Sequence, residues 1–313
     1  MTEIILAALL PVVFAVSLGF LAAHLRIVEK AAASDFVEFI VRFALPIALF
    51  AGVLKISPAQ IENGPFIGAM AIGLMVPYAA AFAIGRFVFR HSASESALQG
   101  MTSAFPSMAY SGLPVLLAVV GSDGVLAIVI GNLVTSVIMI PLTLAILQIG
   151  SGKADGSIAS LVGRSLVDSV KQPVVWLPLL GAALALGGIH VPAVLQQSFD
   201  LIGKSAAGVS LFTLGIMLYG QHLRIDRDIA LNSLLKNLGQ PAIMFVLILL
   251  LGIHGVSAKE LFLTAAIPSA TAASMLSLRY RTYADEAAAS TLISTVGAVV
   301  TVTVAIILAE HFT

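Results

Sequence analysis

The sequence predicts an all-α polytopic membrane protein whose ten transmembrane helices form two inverted repeats of five. Three observations predict this fold. The chain of 313 residues is 59% apolar and 10% charged, whereas soluble domains contain roughly 25% charged residues. Ten apolar segments are long enough to cross about 30 Å of hydrocarbon. The two halves of the chain also resemble each other at one constant offset of 162 residues.

Each predicted span supplies the apolar residues, about 20 in number, that a membrane-crossing helix needs. In chain order the spans are 4–25, 35–54, 66–89, 97–120, 124–149, 172–189, 199–220, 232–252, 259–280 and 286–309. They divide the chain into a first repeat at 1–149, a cytoplasmic linker at 150–171 and a second repeat at 172–313. The first span is too long for the apolar core of a signal peptide, so we expect it to be retained.

Lysine and arginine predict the orientation, because cytoplasmic loops are enriched in both. Twelve of them follow spans 1, 3, 5, 7 and 9, namely Arg26, Lys30, Arg86, Arg90, Lys153, Arg164, Lys171, Arg224, Arg227, Lys236, Arg279 and Arg281. The opposite side carries three, Lys55, Lys204 and Lys259. We therefore expect both termini to lie outside the cytoplasm.

The internal repeat is clearest in spans 4 and 9. The offset places Thr102-Ser-Ala-Phe-Pro-Ser107 on Thr264-Ala-Ala-Ile-Pro-Ser269, and it also aligns Asp123 with Asp285. Because five spans are an odd number, the second repeat must enter the membrane from the opposite side. Inverted repeats of this kind are typical of secondary transporters.

Both aligned spans contain residues that interrupt a helix. Pro106 and Pro114 lack an amide proton, and Gly112 weakens the helix further. Unpaired backbone groups are costly in lipid, so such breaks occur only inside protein or beside water. Two breaks at equivalent positions of the two repeats indicate a transport site. We expect spans 4 and 9 to cross near the bilayer midplane, with the helix N-termini after the breaks facing an anion.

Hydroxyl and amide side chains near the breaks and in spans 5 and 10 complete the candidate substrate-binding set. A hydrogen bond between helices is an equally good explanation for Asn132. The Glu38–Arg42 pair in span 2 is interpreted as structural. The candidate residues are Pro106, Ser107, Tyr110, Ser111, Asn132, Thr135, Pro268, Ser269, Thr271, Ser274, Ser294 and Thr295.

Two stretches resemble a known family. Pro106-Ser-Met-Ala-Tyr-Ser-Gly-Leu-Pro-Val-Leu116, followed by Gly121, resembles the fourth helix of the auxin efflux carrier family, in which Pro-Asn-x-x-x-x-Gly-Ile-Pro-Leu-Leu recurs. The stretch from Ala265 to Tyr280 resembles the ninth helix of that family. Ser107 stands where plant members have Asn, Ser269 where they have Gln, and Ala273 where they have a second proline. These departures put the identity of the substrate in question.

The resemblance implies a scaffold domain of spans 1, 2, 6 and 7 and a transport domain of spans 3–5 and 8–10. It implies an elevator-type alternating-access mechanism in a bacterial inner membrane, with the lipid bilayer as surroundings. Family substrates are organic carboxylates, such as auxin in plants and malonate for bacterial members. Related carriers dimerise through the scaffold, although nothing in this sequence itself indicates a homodimer.

Other functions are disfavoured by particular absences from the sequence. Net charge is zero, which argues against a nucleic-acid partner. The chain has no cysteine and no zinc-motif histidine spacing, so we expect no metal site and no cofactor. A cation–proton antiporter would need a buried carboxylate, yet Asp123, Asp285 and Glu286 lie at span ends. A sodium- or proton-coupled symporter or antiporter of the related bile-acid-symporter fold stays the alternative function. Coupling to H⁺ or Na⁺ stays open, as does a passive channel. An intramembrane enzyme lacks its motifs.

Overall fold

A computed structural model describes residues 2–55, 63–150, 170–189, 191–220 and 225–312, together with Gly163 and Val167. Within these ranges all regular secondary structure is helical, apart from one isolated β-bridge. Most of the predicted linker at 150–171 lies outside the described residues. The side chain of Tyr110 also lies outside them, although its backbone is helical.

The described helices follow the apolar segments of the sequence. They are α1 Thr2–His24, α2 Lys30–Val53, α3 Gly64–Val88, α4 Ala93–Ala104, α5 108–119, α6 Val125–Gly150, α7 Pro173–Leu186, α8 Ala193–Leu218, α9 Arg227–Leu250, α10 Gly255–Ala266, α11 Thr271–Tyr280 and α12 Ala284–Ala309. Among them α2, α3, α6, α8, α9 and α12 are long and apolar enough to cross a membrane. The predicted all-helical membrane fold is therefore confirmed at this level, while the set of ten spans and their inverted arrangement stay predictions.

Polar side chains fix where several helices begin. Ser92 and Glu95 form a reciprocal capping box at the start of α4, because each side chain accepts a hydrogen bond from the other residue's backbone N–H. Asp226 accepts hydrogen bonds from the first backbone amides of α9, and Asn63 does the same for α3. These caps satisfy amides that have no partner within their own helix.

Two short non-helical segments interrupt the helical chain where the prolines are. Residues 105–107 separate α4 from α5, and residues 267–270 separate α10 from α11. Pro106 and Pro268 lie inside these segments, where proline removes a backbone donor and disfavours helical geometry in the preceding residue. The sequence thus ends each helix at a position where the backbone needs partners from elsewhere.

Close helix packing joins α1 to α8 and α2 to α7. A Cβ atom added to Gly19 of α1 would lie 1.9 Å from the carbonyl oxygen of Phe212. One added to Gly215 of α8 would lie 2.0 Å from the carbonyl oxygen of Val16. A Cβ atom added to Gly181 of α7 would lie 3.1 Å from Cδ2 of Phe50 in α2. Small residues let membrane helices approach each other in this way, so these four helices can form one packed group.

The structure corrects the position of Lys236. The sequence analysis counted it with the cytoplasmic cations that follow span 7, although it lies four residues inside predicted span 8 at 232–252. Helix α9 instead begins at Arg227, capped by Asp226, and Lys236 lies inside it with no exposed surface. Removing Lys236 from the cytoplasmic count leaves eleven cations against three, so the predicted orientation does not change.

The glycine contact between α1 and α8 gives a stability prediction. Gly215→Val forces a side chain into the backbone of α1, and we expect a loss of about 1–3 kcal/mol in the free energy of unfolding, as for other overpacked sites. Gly208→Val in the same helix is the matched control, because no atom lies within 4 Å of a Cβ at that position. Thermal unfolding of the purified variants in detergent measures both, and equal melting temperatures would contradict the close packing.

Candidate functional site

The two non-helical segments lie against each other and pair through their backbones. The Ser107 N–H donates to the Pro268 carbonyl at 2.9 Å, and the Ala270 N–H donates to the Phe105 carbonyl at 2.8 Å. These two hydrogen bonds form an antiparallel bridge that places Pro106 opposite Ser269. Each segment therefore supplies partners for backbone groups that the other segment's break has released.

Buried side chains hold this bridge from one side. Ser269 donates its hydroxyl to the Thr102 carbonyl at 2.7 Å, and its backbone N–H donates to Ser294 Oγ at 3.0 Å. Ser294 in turn donates to Asn237 Oδ1 at 2.6 Å, while Asn237 Nδ2 donates to the Ser294 carbonyl at 3.0 Å. Because the three side chains involved, Ser269, Ser294 and Asn237, are buried, an unpaired member would be costly.

A cavity of about 250 Å³ opens on the other side of the bridge. Ser111, Pro268 and Thr295 line it from the interrupted helices and α12, and Ser17 lines it from α1. The rest of the lining is largely aliphatic, and it includes Val115, Leu214, Leu218, Ile267, Val299 and Val302. The cavity can therefore take a small molecule with an apolar body and one polar end.

The predicted site residues separate into groups. Pro106, Ser107, Pro268, Ser269 and Ser294 form the bridge and its support, whereas Ser111, Pro268 and Thr295 line the cavity. Thr271 and Ser274 line a different cavity of about 110 Å³, where Ser274 contacts Thr291 at 2.9 Å.

Asn132 and Thr135 line neither of these two cavities. Thr135 donates its hydroxyl back to the carbonyls of its own helix at 3.0–3.1 Å, which is a structural role. Asn132 Nδ2 is buried and donates to no group among the described residues. The equally weighted helix–helix hydrogen bond is therefore not made by this atom, and Asn132 stays a candidate for contact with a ligand.

A second polar cluster ties the neighbouring helix ends together. His91 Nε2 lies 2.6 Å from Asp228 Oδ1, and the Tyr283 hydroxyl donates to the same oxygen at 3.3 Å. Asn232 donates to Tyr283 and to Ser290 at 2.9 Å. Burial raises the pKa of Tyr283, although the hydrogen bond from Asn232 opposes the shift. The hydroxyl therefore stays neutral and keeps its proton for Asp228.

Comparison with known proteins agrees with a transport role for this arrangement. The family model described as "Membrane transport protein" matches residues 4–306. The chain belongs to the membrane transport protein family. This match covers nearly the whole chain and confirms the family relationship that the motifs around Pro106 and Pro268 suggested. It also agrees with the expectation that the protein is a transporter and not an enzyme.

Two relatives are named as transporters. This membrane transport protein is 27% identical over 298 residues to "Uncharacterized transporter YfdV" of Escherichia coli (strain K12), with 94% of each chain covered. It is 26% identical over 298 residues to "Putative malonate transporter" of Rhizobium meliloti (strain 1021), with 94% of this chain and 92% of the relative covered. A multi-pass membrane location follows from the family and from its apolar helices.

Sequence reasoning missed the residues of α9 that support the transporter's bridge. Asn237 contacts Ser294, while Lys236 and Gln240 reach the ends of α10 and α4. A signal was present, since Lys236, Asn237 and Gln240 are the polar members of an otherwise apolar stretch. Lys236 lies only four residues from the start of predicted span 8, so in the sequence it resembles a lysine at the membrane surface.

The support behind the bridge gives a second stability prediction. Ser294→Ala removes the acceptor of the Ser269 N–H and the donor to Asn237, so we expect unfolding to become about 1–3 kcal/mol easier. Thr295→Val is the matched control, because the Thr295 hydroxyl donates to Thr291 of its own helix. Thermal unfolding should separate the two variants, and a Ser294→Ala protein as stable as Thr295→Val would contradict the hydrogen-bond network.

Proposed function

We propose that the protein is a secondary transporter of a small organic anion, working by elevator-type alternating access. The observation that carries this proposal is the cavity of about 250 Å³ beside the paired breaks. In the proposed arrangement α4 with α5, and α10 with α11, are two interrupted spans of inverted repeats that cross near the bilayer midplane. The site would then be reached from each side of the membrane in turn.

The position of the cavity suits a moving boundary between two groups of helices. Ser17 and Leu214 belong to α1 and α8, the proposed scaffold, whereas Ser111 and Thr295 belong to the proposed transport group. A second cavity of about 240 Å³ lies between the same two groups, and Leu113, Val125 and Lys204 are part of its lining. A boundary with two cavities is less tightly packed than a continuous core, which favours sliding of one group past the other.

The electrostatics of the site favour a single carboxylate. Among the described residues, those that line the 250 Å³ cavity include hydroxyls but no lysine, arginine or histidine. Positive potential would come from the helix N-termini that follow the breaks, at Met108 and Thr271. Partial charges of this size suit one negative charge better than two. We therefore place a monocarboxylate with an apolar body ahead of malonate, the substrate in the name of one relative.

The hydrogen bonds at the two breaks argue against coupling to sodium. The carbonyls of Ala104 and Ala265, which a cation would use, already accept hydrogen bonds from Gln240 and Lys236. A proton-coupled symporter and a dimer formed through the scaffold stay proposals, as do termini outside the cytoplasm.

Binding and uptake test the transport proposal together. Carboxylates that bind the folded protein should raise its melting temperature by mass action, so malonate, butyrate and indole acetate can be compared at one concentration. Counterflow of the best binder in proteoliposomes should then be saturable. Stabilisation by a carboxylate followed by counterflow supports the carrier. Uptake that never saturates would indicate a channel, and the absence of both effects across the carboxylates would contradict the proposal.

A cavity-filling variant tests the location of the site. Ser17→Phe places a ring in the 250 Å³ cavity from α1, and we expect uptake to fall about tenfold or more because misplacing bound cargo by about 1 Å already has large effects. Leu18→Phe is the matched control, since Leu18 is the next residue, is exposed and does not line the cavity. Equal uptake by the two variants would place the cargo elsewhere.

A further inference from the structure

Lys236 is buried inside the protein, among apolar helices. It lies about 14 Å along α9 from Arg227, at 1.5 Å per residue, and none of its surface is exposed. No other lysine or arginine in the described ranges is buried. A charge at such depth is costly to keep and marks a functional position by default.

Its ammonium group reaches the end of one interrupted helix. Lys236 Nζ donates to the Ala265 carbonyl at 3.0 Å and to Gln240 Oε1. Ala265 is the penultimate residue of α10, so its carbonyl is one of the last four, which have no partner within the helix. Lys236 supplies that missing partner.

Gln240 extends the contact to the other interrupted helix. Its Nε2 donates to the Ala104 carbonyl at 2.9 Å and to the Gly73 carbonyl at 3.3 Å. Ala104 is the last residue of α4. One lysine and one glutamine, a turn apart on α9, therefore satisfy the carbonyl ends of both helices that stop at the breaks.

Two helix C-termini that converge create a negative potential, because each carries roughly half a negative charge. In transporters with interrupted helices, such carbonyl ends coordinate the coupling cation. Here the same ends already face an ammonium group that belongs to the chain. The negative potential at the crossing is thus offset without any ion from solution.

We infer that Lys236 is a built-in cation that occupies the place of a coupling metal ion, so that the site works without sodium. The inference rests on the proposed transport function and deepens it, since it assigns the ion dependence of the same site. Gln240 acts as a positioning residue that carries the contact from Lys236 to Ala104. The charge of Lys236, and not only its length, is the property that matters.

Cation-dependent melting tests the inference without a transport substrate. At constant ionic strength, replacing choline chloride by sodium chloride should leave the melting temperature of the wild-type protein unchanged. Lys236→Ala opens the carbonyl set of Ala104 and Ala265 together with Gln240 Oε1, so sodium should raise the melting temperature of this variant by mass action. Lys204 is an exposed lysine in α8, and the Lys204→Ala control should melt at the same temperature in both salts.

Several outcomes decide the matter. Stabilisation of Lys236→Ala by sodium, with none for the wild-type protein, supports the inference. Stabilisation of the wild-type protein by sodium would overturn it, and that measurement needs no variant to fold. A folded Lys236→Ala protein that ignores sodium would also overturn it, because the carbonyl set would then be no cation site.

Uptake separates this inference from the transport proposal. Uptake is measured with the carboxylate that raises the melting temperature of the protein most. Wild-type uptake should be equal in sodium and choline. Uptake by Lys236→Met should be lower by about tenfold or more, because a fixed charge is removed from a buried contact. Sodium-driven uptake by the wild-type protein would leave transport intact and overturn only the role of Lys236. Uptake by Lys236→Met at the wild-type rate would do the same.

Discussion

The backbone bridge between residues 105–107 and 267–270 is the constraint on which the rest of the structure depends. Proline stops α4 and α10 inside a protein whose surroundings offer no water, so the released amides and carbonyls need partners. Most of those partners come from the opposite break or from α9 and α12. Ser269 illustrates this, because its N–H binds Ser294 and its hydroxyl binds the Thr102 carbonyl. Neither non-helical segment can satisfy all of its backbone groups by itself, so the two segments must stay in contact.

This constraint divides the surroundings of the bridge into a supported side and an open side. On the supported side Lys236 and Gln240 of α9 hold the ends of α10 and α4, and Asn237 of α9 holds Ser294 of α12. On the open side Ser111 and Thr295 line an apolar cavity that faces α1 and α8. A rigid element beside a cavity at a helix-group boundary is what a carrier needs to hold cargo while it moves.

The sequence predicted the features that depend on local chemistry. Pro106 and Pro268 act on their own helices, so their breaks, and the polar residues beside them, could be located without coordinates. The partners on α9 could not be found in this way, because Asn237 meets Ser294 only after folding. Lys236 was misplaced for the same reason, since a lysine near a polar segment resembles a loop residue until the helix start at Arg227 is known. The bond of Thr135 to its own helix is likewise not visible in the sequence.

The most direct measurement is disulfide formation across the bridge. The chain has no cysteine, and opposite residues that exchange no backbone hydrogen bonds in an antiparallel pair lie about 4.5 Å apart between Cα atoms, within disulfide range. Pro106→Cys with Ser269→Cys should therefore cross-link on mild oxidation in native membranes, with the linked peptides identified by mass spectrometry. Pro106→Cys with Lys259→Cys is the control pair, because Lys259 lies ten residues before Ser269, about 15 Å away at 1.5 Å per residue. This pair should stay unlinked. Equal linking of the two pairs, or none in either, would contradict the crossing of the interrupted helices.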